Sequence, residues 1–436
     1  MRSIRFAPRK GAAWGLLAVA LAASTATAQT YGPVAEPSGA SVSETAPEEL
    51  PDPLVDAAAK ALDQSPLVLA GLAEVAALEA DVRTARFQRY PSLSADVLAA
   101  TGGSTIADDD GLAFNVTLEQ PIWSGGGIGS QIDAARANRD VGRNALRETR
   151  FNILLAVISS YYDVLRAFER VRVLENGIAQ HRALVERIER RVAQEVSPRA
   201  DLTLARSRLT QLEVELTSAR ELGANSLLRL IEFAGGEVET PRLPEQDIAS
   251  LLPPERVAVE ESMACAPGLD RLRSAIEVAE AEVRTTRSGL FPQLLLQLSQ
   301  NEITGARAAI VLRAQTGNGL SRLSQVDSAE ARVEQSIAEL GQADREARTR
   351  IGAEYVAFRS NSQREQAGAE ASEAAGQLLE SYQRQFVAGR RSWLDVLNAA
   401  REVTSANIAE SDARVNAAAS ATRVLALTCR WQPTGI

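Results

Sequence analysis

The chain has 436 residues, with 47 Lys and Arg against 56 Asp and Glu (net charge −9), one histidine and two cysteines. So acidic a chain lacks the basic surface that neutralises phosphates, which excludes a nucleic-acid binder. A lone histidine and two cysteines at no ligand spacing exclude a metal cluster, and the absence of a phosphate loop or a nucleophile–base pair excludes an enzyme.

Residues 1–28 have the pattern of a secretory signal. Arg2, Arg5, Arg9 and Lys10 are followed by an apolar core from Gly11 to Ala23, and Ala26-Thr27-Ala28 precedes a cut at Gln29. Removing those four cations makes the mature chain more acidic still. No Cys follows the core, so no lipid anchor is expected. No later stretch reads as the roughly 18 apolar residues of a membrane helix. The remaining routes are solubility in an exported compartment or a closed β-barrel.

Residues 29–52, rich in Pro, Glu, Ser and Ala, read as a disordered acidic leader. Helical sequence starts near Leu54, breaks at Ser65-Pro66 and runs to about Tyr90. Pro91 then ends it, because proline pushes the residue before it into extended backbone. Strands are predicted at about 91–101 and 112–122. Leu93, Ala95, Val97 and Ala99 alternate with Ser94 and Asp96, and Phe114, Val116 and Leu118 with Asn115, Thr117 and Glu119. The turn between them, Gly102 to Gly111, holds Asp108-Asp109-Asp110, read as a solvated external loop rather than a divalent-ion site. Strands of this length suit a tilted outer-membrane barrel. Tyr90, Trp123 and Phe291, where strands meet helices, read as an aromatic rim at the membrane interface.

A long helix is predicted over 127–194, proline-free, with Leu154, Ile158, Tyr161, Leu165 and Phe168 on one stripe and Val171, Leu174, Ile178, Val185, Ile188 and Val192 on another. At 1.5 Å per residue it is about 100 Å long. His181 falls on such a stripe, as a packed or rim histidine. Glu195-Val196-Ser197-Pro198 breaks the helix, with Ser197 as N-cap and Pro198 as first helical residue of a return helix over 198–234. That helix stops at Gly235-Gly236. Residues 236–264, Pro- and Glu-rich, read as a linker.

The chain then repeats itself. Glu79 to Arg86 falls on Glu280 to Arg287, and Pro66 and Pro91 fall on Pro267 and Pro292, at an offset of 201; Gln131 and Asp201-Leu202 fall on Gln325 and Asp395-Val396 at 194. A period this long marks a duplicated half rather than a solenoid. The halves are 53–235 and 265–431, with a tail at 432–436. The second holds strands at about 292–300 and 308–316, a long helix over 321–387 and a return helix over 393–428. Four strands cannot close a barrel, so closure demands oligomerisation. Cys429 corresponds to Gly235, at a helix end that leads by the linker to Cys265; a bridge and two separate buried thiols are both open.

Strand hairpins feeding long antiparallel helices, a duplicated half and a signal peptide together resemble the TolC family of outer-membrane factors. The most diagnostic stretch is Phe386-Val387-Ala388-Gly389-Arg390-Arg391-Ser392-Trp393-Leu394-Asp395-Val396-Leu397-Asn398-Ala399, similar to the family's periplasmic tip motif. Val196 to Leu202 is the weaker counterpart, with Glu195 where Gly389 sits. The resemblance implies a mainly α fold with a small β part: a homotrimer with a 12-stranded barrel in the outer membrane above a periplasmic α-barrel tunnel. It implies a passive duct without cofactor, docked on a periplasmic adaptor and an inner-membrane transporter. Val387, Gly389, Arg390, Arg391, Ser392, Trp393 and Asp395, with Ser197, Pro198 and Asp201, would be the docking tips. Glu186 and Glu380, equivalent by the offset, read either as solvated positions on a helix face or, by the symmetry of a trimer, as a cation-selective ring of six carboxylates at the constriction. Within the family, Arg391 to Asn398 and the stretch 314–321 look most like type I secretion components for large adhesins, with an ABC transporter as partner. Drug or metal efflux is the alternative, and a soluble periplasmic coiled coil the distant one.

Overall fold

The computed structural model describes residues 47, 49–100, 111–244, 247–301, 305–314 and 320–433. The chain divides into two units, Met1–Val42 and Ser43–Ile436. The signal peptide, most of the acidic leader, the Asp108–Asp110 loop and most of 314–321 lie outside the described residues. Every described helix and strand belongs to the second unit.

The elements of this unit come twice. Helices α1 (Asp52–Gln64) and α2 (Pro66–Phe87) lead into strands β1 (Ser92–Ala100) and β2 (Gly111–Trp123), long helix α3 (Gly127–Ala193) and return helix α4 (Arg199–Ala234). After a 3-10 turn at Ile248–Leu251, α5 (Glu255–Cys265), α6 (Pro267–Ser288), β3 (Gln293–Asn301), β4 (Gly305–Arg313), α7 (Ser321–Val387) and α8 (Trp393–Leu427) repeat the order. Pro66 and Pro267 open α2 and α6 within the first helical turn, where a missing N–H costs nothing.

The stretch 236–264, expected to be a bare linker, holds the 3-10 turn and α5. Helix α5 occupies the place of α1 at the same offset, so the second structural repeat begins before residue 265. Tyr161 on α3 ties this stretch down. Its Oη donates to the Arg242 carbonyl (2.8 Å) and accepts from the Arg242 N–H (2.9 Å). The spacing of prolines and glutamates conceals α5, because only Ala258 and Ser262 of its face are buried.

The four strands form one antiparallel sheet in the order β1-β2-β3-β4, with the repeats joined at β2–β3. Register aligns Leu93, Leu118, Leu298 and Ala308 in one row and Ser94, Thr117, Ser299 and Arg307 in the next. One face is therefore apolar and exposed, with Leu93, Val97, Phe114, Ile310 and Leu312 all more than half accessible. The other carries Asn115, Thr117 and an ion pair between Arg313 and Glu119 (3.3 Å). Strand β4 starts three residues before its expected position, because Asn301 pairs with Gly305, a register that alternation cannot set. Tyr90, Trp123 and Phe291 are exposed at the strand–helix junction, and Trp123 packs edge-on to Phe291 (centroids 6.5 Å).

The main core lies midway along α3, where Leu154, Ile158, Tyr161 and Leu165 meet Leu54, Ala57 and Ala61 of α1, Leu230 of α4 and Leu425 of α8. Phe168, expected on the same stripe, is instead exposed at its edge. Helix α3 is long and apolar enough to cross a membrane, contrary to the sequence expectation, but more than half of that window is buried in the protein. The alanine-rich faces of α1 and α8 let helices approach closely enough to bury it. Burial pushes the Tyr161 phenol up to about 12, outweighing its backbone hydrogen bond.

Cys265 closes α5 and Cys429 follows α8. The structure joins them as a disulfide, Cα atoms 6.1 Å apart.

Candidate functional site at the helix tips

Both long helices end in the same turn. At the end of α7, Arg390 N–H donates to the Gln385 carbonyl (2.9 Å) and Gly389 N–H to that of Phe386 (3.0 Å), with Gly389 at φ 73°. At the end of α3, Val196 N–H donates to Arg191 (2.9 Å) and Glu195 N–H to Val192 (3.0 Å), with Glu195 at φ 60°. This is the Schellman arrangement, which satisfies the last carbonyls by turning one residue left-handed. The first tip lacks the glycine but keeps the turn.

The chain then re-enters helix by two different starts. Ser392 caps α8 with a reciprocal capping box: its Oγ accepts from Asp395 N–H (3.2 Å), and Ser392 N–H donates to Asp395 Oδ2 (3.4 Å). Arg391 pairs with Asp395 (3.8 Å) and stacks over Tyr382 (4.2 Å). These three expected docking residues are thus engaged inside the tip. At the first tip the expected cap is corrected. Pro198 is itself the N-cap, α4 starts at Arg199, and Ser197 Oγ accepts from Arg191 Nε (3.3 Å). No side chain caps α4 by a hydrogen bond, while Asp201 supplies a carboxylate to its first turn.

Trp393, expected at the docking surface, is only 3% exposed. It packs against Phe386 (centroids 5.1 Å) in a tip core with Leu184, Ile188, Leu379, Val396 and Leu397. A first-turn tryptophan facing the neighbouring long helices has no route to solvent. Val387 is 74% exposed, and Gly389, Arg390 and Pro198 are exposed with it. Sequence reasoning missed the pairing of Phe386 with Trp393; their spacing of seven, across a turn, was the available signal.

Glu186 and Glu380 both lie exposed on the long helices, above their tips. Glu380 faces Arg384 at 3.7 Å along its own helix. Nearby, His181 is buried, and its Nδ1 donates to the Gly177 carbonyl (2.9 Å). Burial holds its pKa below the usual histidine value against that hydrogen bond. At Gly177, α3 approaches α8 so closely that a Cβ would stand 2.8 Å from Thr404 Oγ1. Among the described residues no group of three or more His, Cys, Asp or Glu is placed to hold a metal ion.

The family model for outer membrane efflux proteins matches residues 57–236 and 258–429, one segment per repeat. The chain belongs to the outer membrane efflux protein family. Members of this family are outer-membrane channels with a periplasmic helical tunnel, not enzymes. Protein CyaE of Bordetella pertussis is 26% identical over 319 residues, 66% of this chain and 65% of that protein. The chain thus spans just under two thirds of CyaE. The cobalt-zinc-cadmium resistance protein CzcC of Cupriavidus metallidurans is 27% identical over 308 residues, 66% of this chain and 70% of CzcC. Among solved structures, CusC superposes with a TM-score of 0.75 (16% identity, 86% of this chain and 92% of CusC). The outer membrane protein VceC of Vibrio cholerae superposes at 0.74 (17% identity, 86% of this chain and 96% of VceC). These structural likenesses concern the fold alone, and it is the TolC-like fold that the tip motif and the duplication predict.

Proposed function

We propose that three copies of this chain close a twelve-stranded barrel and form a passive export duct. The observation that carries this is the sheet. Among the described residues β1 and β4 each pair on one side only, and the sheet turns an exposed apolar face outward. Open edges are not tolerated in lipid, so each must meet another chain's edge. The tips, 387–397 and 193–202, dock a periplasmic adaptor that links the duct to an inner-membrane transporter. Glu186 and Glu380 supply the six-carboxylate ring near the entrance.

The cargo reading is type I secretion of a large adhesin-like protein with an ABC transporter, and the stretch Arg391 to Asn398 supports it. The likeness to CzcC favours a second reading, efflux of metal ions. Detergent-solubilised protein should run at three times the chain mass; a stable monomer counts against the duct. A deletion strain separates the cargoes: loss of a large protein from the medium supports secretion, and hypersensitivity to cobalt, zinc and cadmium supports efflux. In planar bilayers the duct should be cation-selective, and the Glu186→Gln/Glu380→Gln double change should reduce that selectivity. Unaltered selectivity would place both carboxylates outside the constriction.

A further inference from the structure

The strand register repeats along with the sequence. Offsets of 201 for β1 and 194 for β2 carry every β1–β2 pair onto a β3–β4 pair: Ser92↔Glu119 becomes Gln293↔Arg313, and Ala100↔Gly111 becomes Asn301↔Gly305. The same offsets carry the β2–β3 register to a pairing of β4 with β1. Leu118↔Leu298 becomes Leu312↔Val97, and Glu119↔Gln297 becomes Arg313↔Asp96. Within one chain β1 and β4 are the outer strands of the sheet, three strand spacings or about 14 Å apart. That pairing is open only to two copies.

What meets in this register is complementary. Leu312 and Val97 are both more than half accessible on the apolar face. Asp96 is exposed on the polar face, opposite Asn115, and among the described residues it makes no ion pair. Arg313 reaches Glu119 on that face at 3.3 Å, and its side chain stays partly accessible there.

The helices supply a second observation. Inside the chain α3 meets α6 through charge: Arg147 pairs with Asp270 (3.5 Å) and Arg271 with Glu148 (2.6 Å). The offsets carry these pairs to α7 against α2 as Gly341 with Leu69 and Gln342 with Ala70, none of them charged. Leu69 is more than half accessible in the single chain, as is Leu67 beside it. The seam within a copy and the seam between copies thus differ in chemistry, which keeps one from forming in place of the other.

Resting on the trimeric duct proposed above, we infer that Arg313 is half of a site that a second copy completes. Asp96 of the next copy lies opposite it, so the guanidinium is held between Glu119 of its own chain and that carboxylate. One such cluster at each seam lines the inner face of the closed barrel and sets the register of closure. Alternation of faces excludes a slip of one residue but not of two. A slip of two would put Arg313 opposite Ser94 or Leu98 and leave Asp96 unpaired. Register fixes the stagger of the strands, and with it the bore of the barrel.

The test is cysteine cross-linking of the full-length protein in outer membranes. Directly opposed residues have Cα atoms about 4.5–5.5 Å apart, within the disulfide range, whereas a diagonal neighbour stands about 7–8 Å away. Val97→Cys/Leu312→Cys should therefore oxidise to covalent trimers at least about tenfold more than Ala95→Cys/Leu312→Cys. The native Cys265–Cys429 bridge lies within one chain and joins no copies. A second readout needs no new disulfide. Asp96→Asn and Arg313→Gln should each lower the temperature at which trimers dissociate in detergent, and the double variant should lose no more than Arg313→Gln alone. Trimers in which Val97→Cys/Leu312→Cys cross-links no better than Ala95→Cys/Leu312→Cys, or additive losses from the two charge changes, overturn the inference and leave the duct standing. Monomers by mass with no cross-link in either cysteine variant would remove the duct reading itself, and this inference with it.

Discussion

Glu195 and Gly389, at equivalent places in the two repeats, hold the same left-handed backbone, at φ 60° and 73°, in the same hydrogen-bonded turn. Only one of them is a glycine. An L-residue in this conformation costs roughly 1–2 kcal/mol, so the first tip carries strain that the second does not.

That asymmetry gives opposite expectations for the two tips. Glu195→Gly should stabilise the first tip, by less than that strain because glycine also loses more entropy on folding. Slower amide hydrogen exchange at 190–200 would register it. Gly389→Val should loosen the second tip by about 1–2 kcal/mol or more and abolish export while trimers remain in the outer membrane. No atom crowds a Cβ at Gly389, so the backbone angle alone is at stake. Faster exchange in the glutamate replacement, or normal export by the valine variant, would refute this account of the turn.

Gly177 and Thr404 should behave as a coupled pair. A side chain at 177 meets Thr404 Oγ1 at 2.8 Å and Cγ2 at 3.0 Å, so Gly177→Ala should destabilise by roughly 1–3 kcal/mol through overpacking. Thr404→Ala removes both atoms and should restore most of the loss. A thermal-melt double-mutant cycle reads the coupling; additive losses would show that the helices can shift apart without penalty.

The Cys265–Cys429 bridge closes a sequence separation of 164 residues. It should appear as a mass increase of about 2 Da on reduction. Cys429→Ser should lower the thermal midpoint, since loss of a disulfide typically costs about 2–5 kcal/mol. Alkylation of two free thiols in the unreduced protein would contradict the pairing.

Acid should weaken the packing around His181. Burial depresses its pKa in the folded protein below the ordinary 6.5, so the unfolded chain binds the proton more readily. Its stabilising contribution is fully present above about pH 6.5 and is lost as pH falls through the lower folded value. Arg208, Glu215 and Arg401 line the same small cavity, so charges of both signs face the ring. His181→Gln should flatten the pH dependence of the melting temperature below 6.5; an unchanged slope would assign it to other groups.

By itself the sequence determined the features that neighbours in the chain dictate. Proline-free heptads set the lengths of α3 and α7, Pro91 and Pro292 ended the helices before each hairpin, and alternation showed which strand faces are apolar. The duplication made each half a check on the other. The tertiary structure alone decided what depends on distant partners. Trp393 and Arg390 are equally open to the outside by local pattern, and only the approach of α3 and α7 buries one and leaves the other exposed. Ser197 had the residue type of a cap, yet Arg191 engages its hydroxyl and Pro198 takes the cap position. Helix α5 has too narrow a buried face to show a period, and it becomes visible only through its packing and its match to α1. The β4 register and the Cys265–Cys429 pairing likewise required segments far apart in the chain to be brought together. Local rules govern how the backbone turns, whereas covering a side chain requires a neighbour that the linear order does not place.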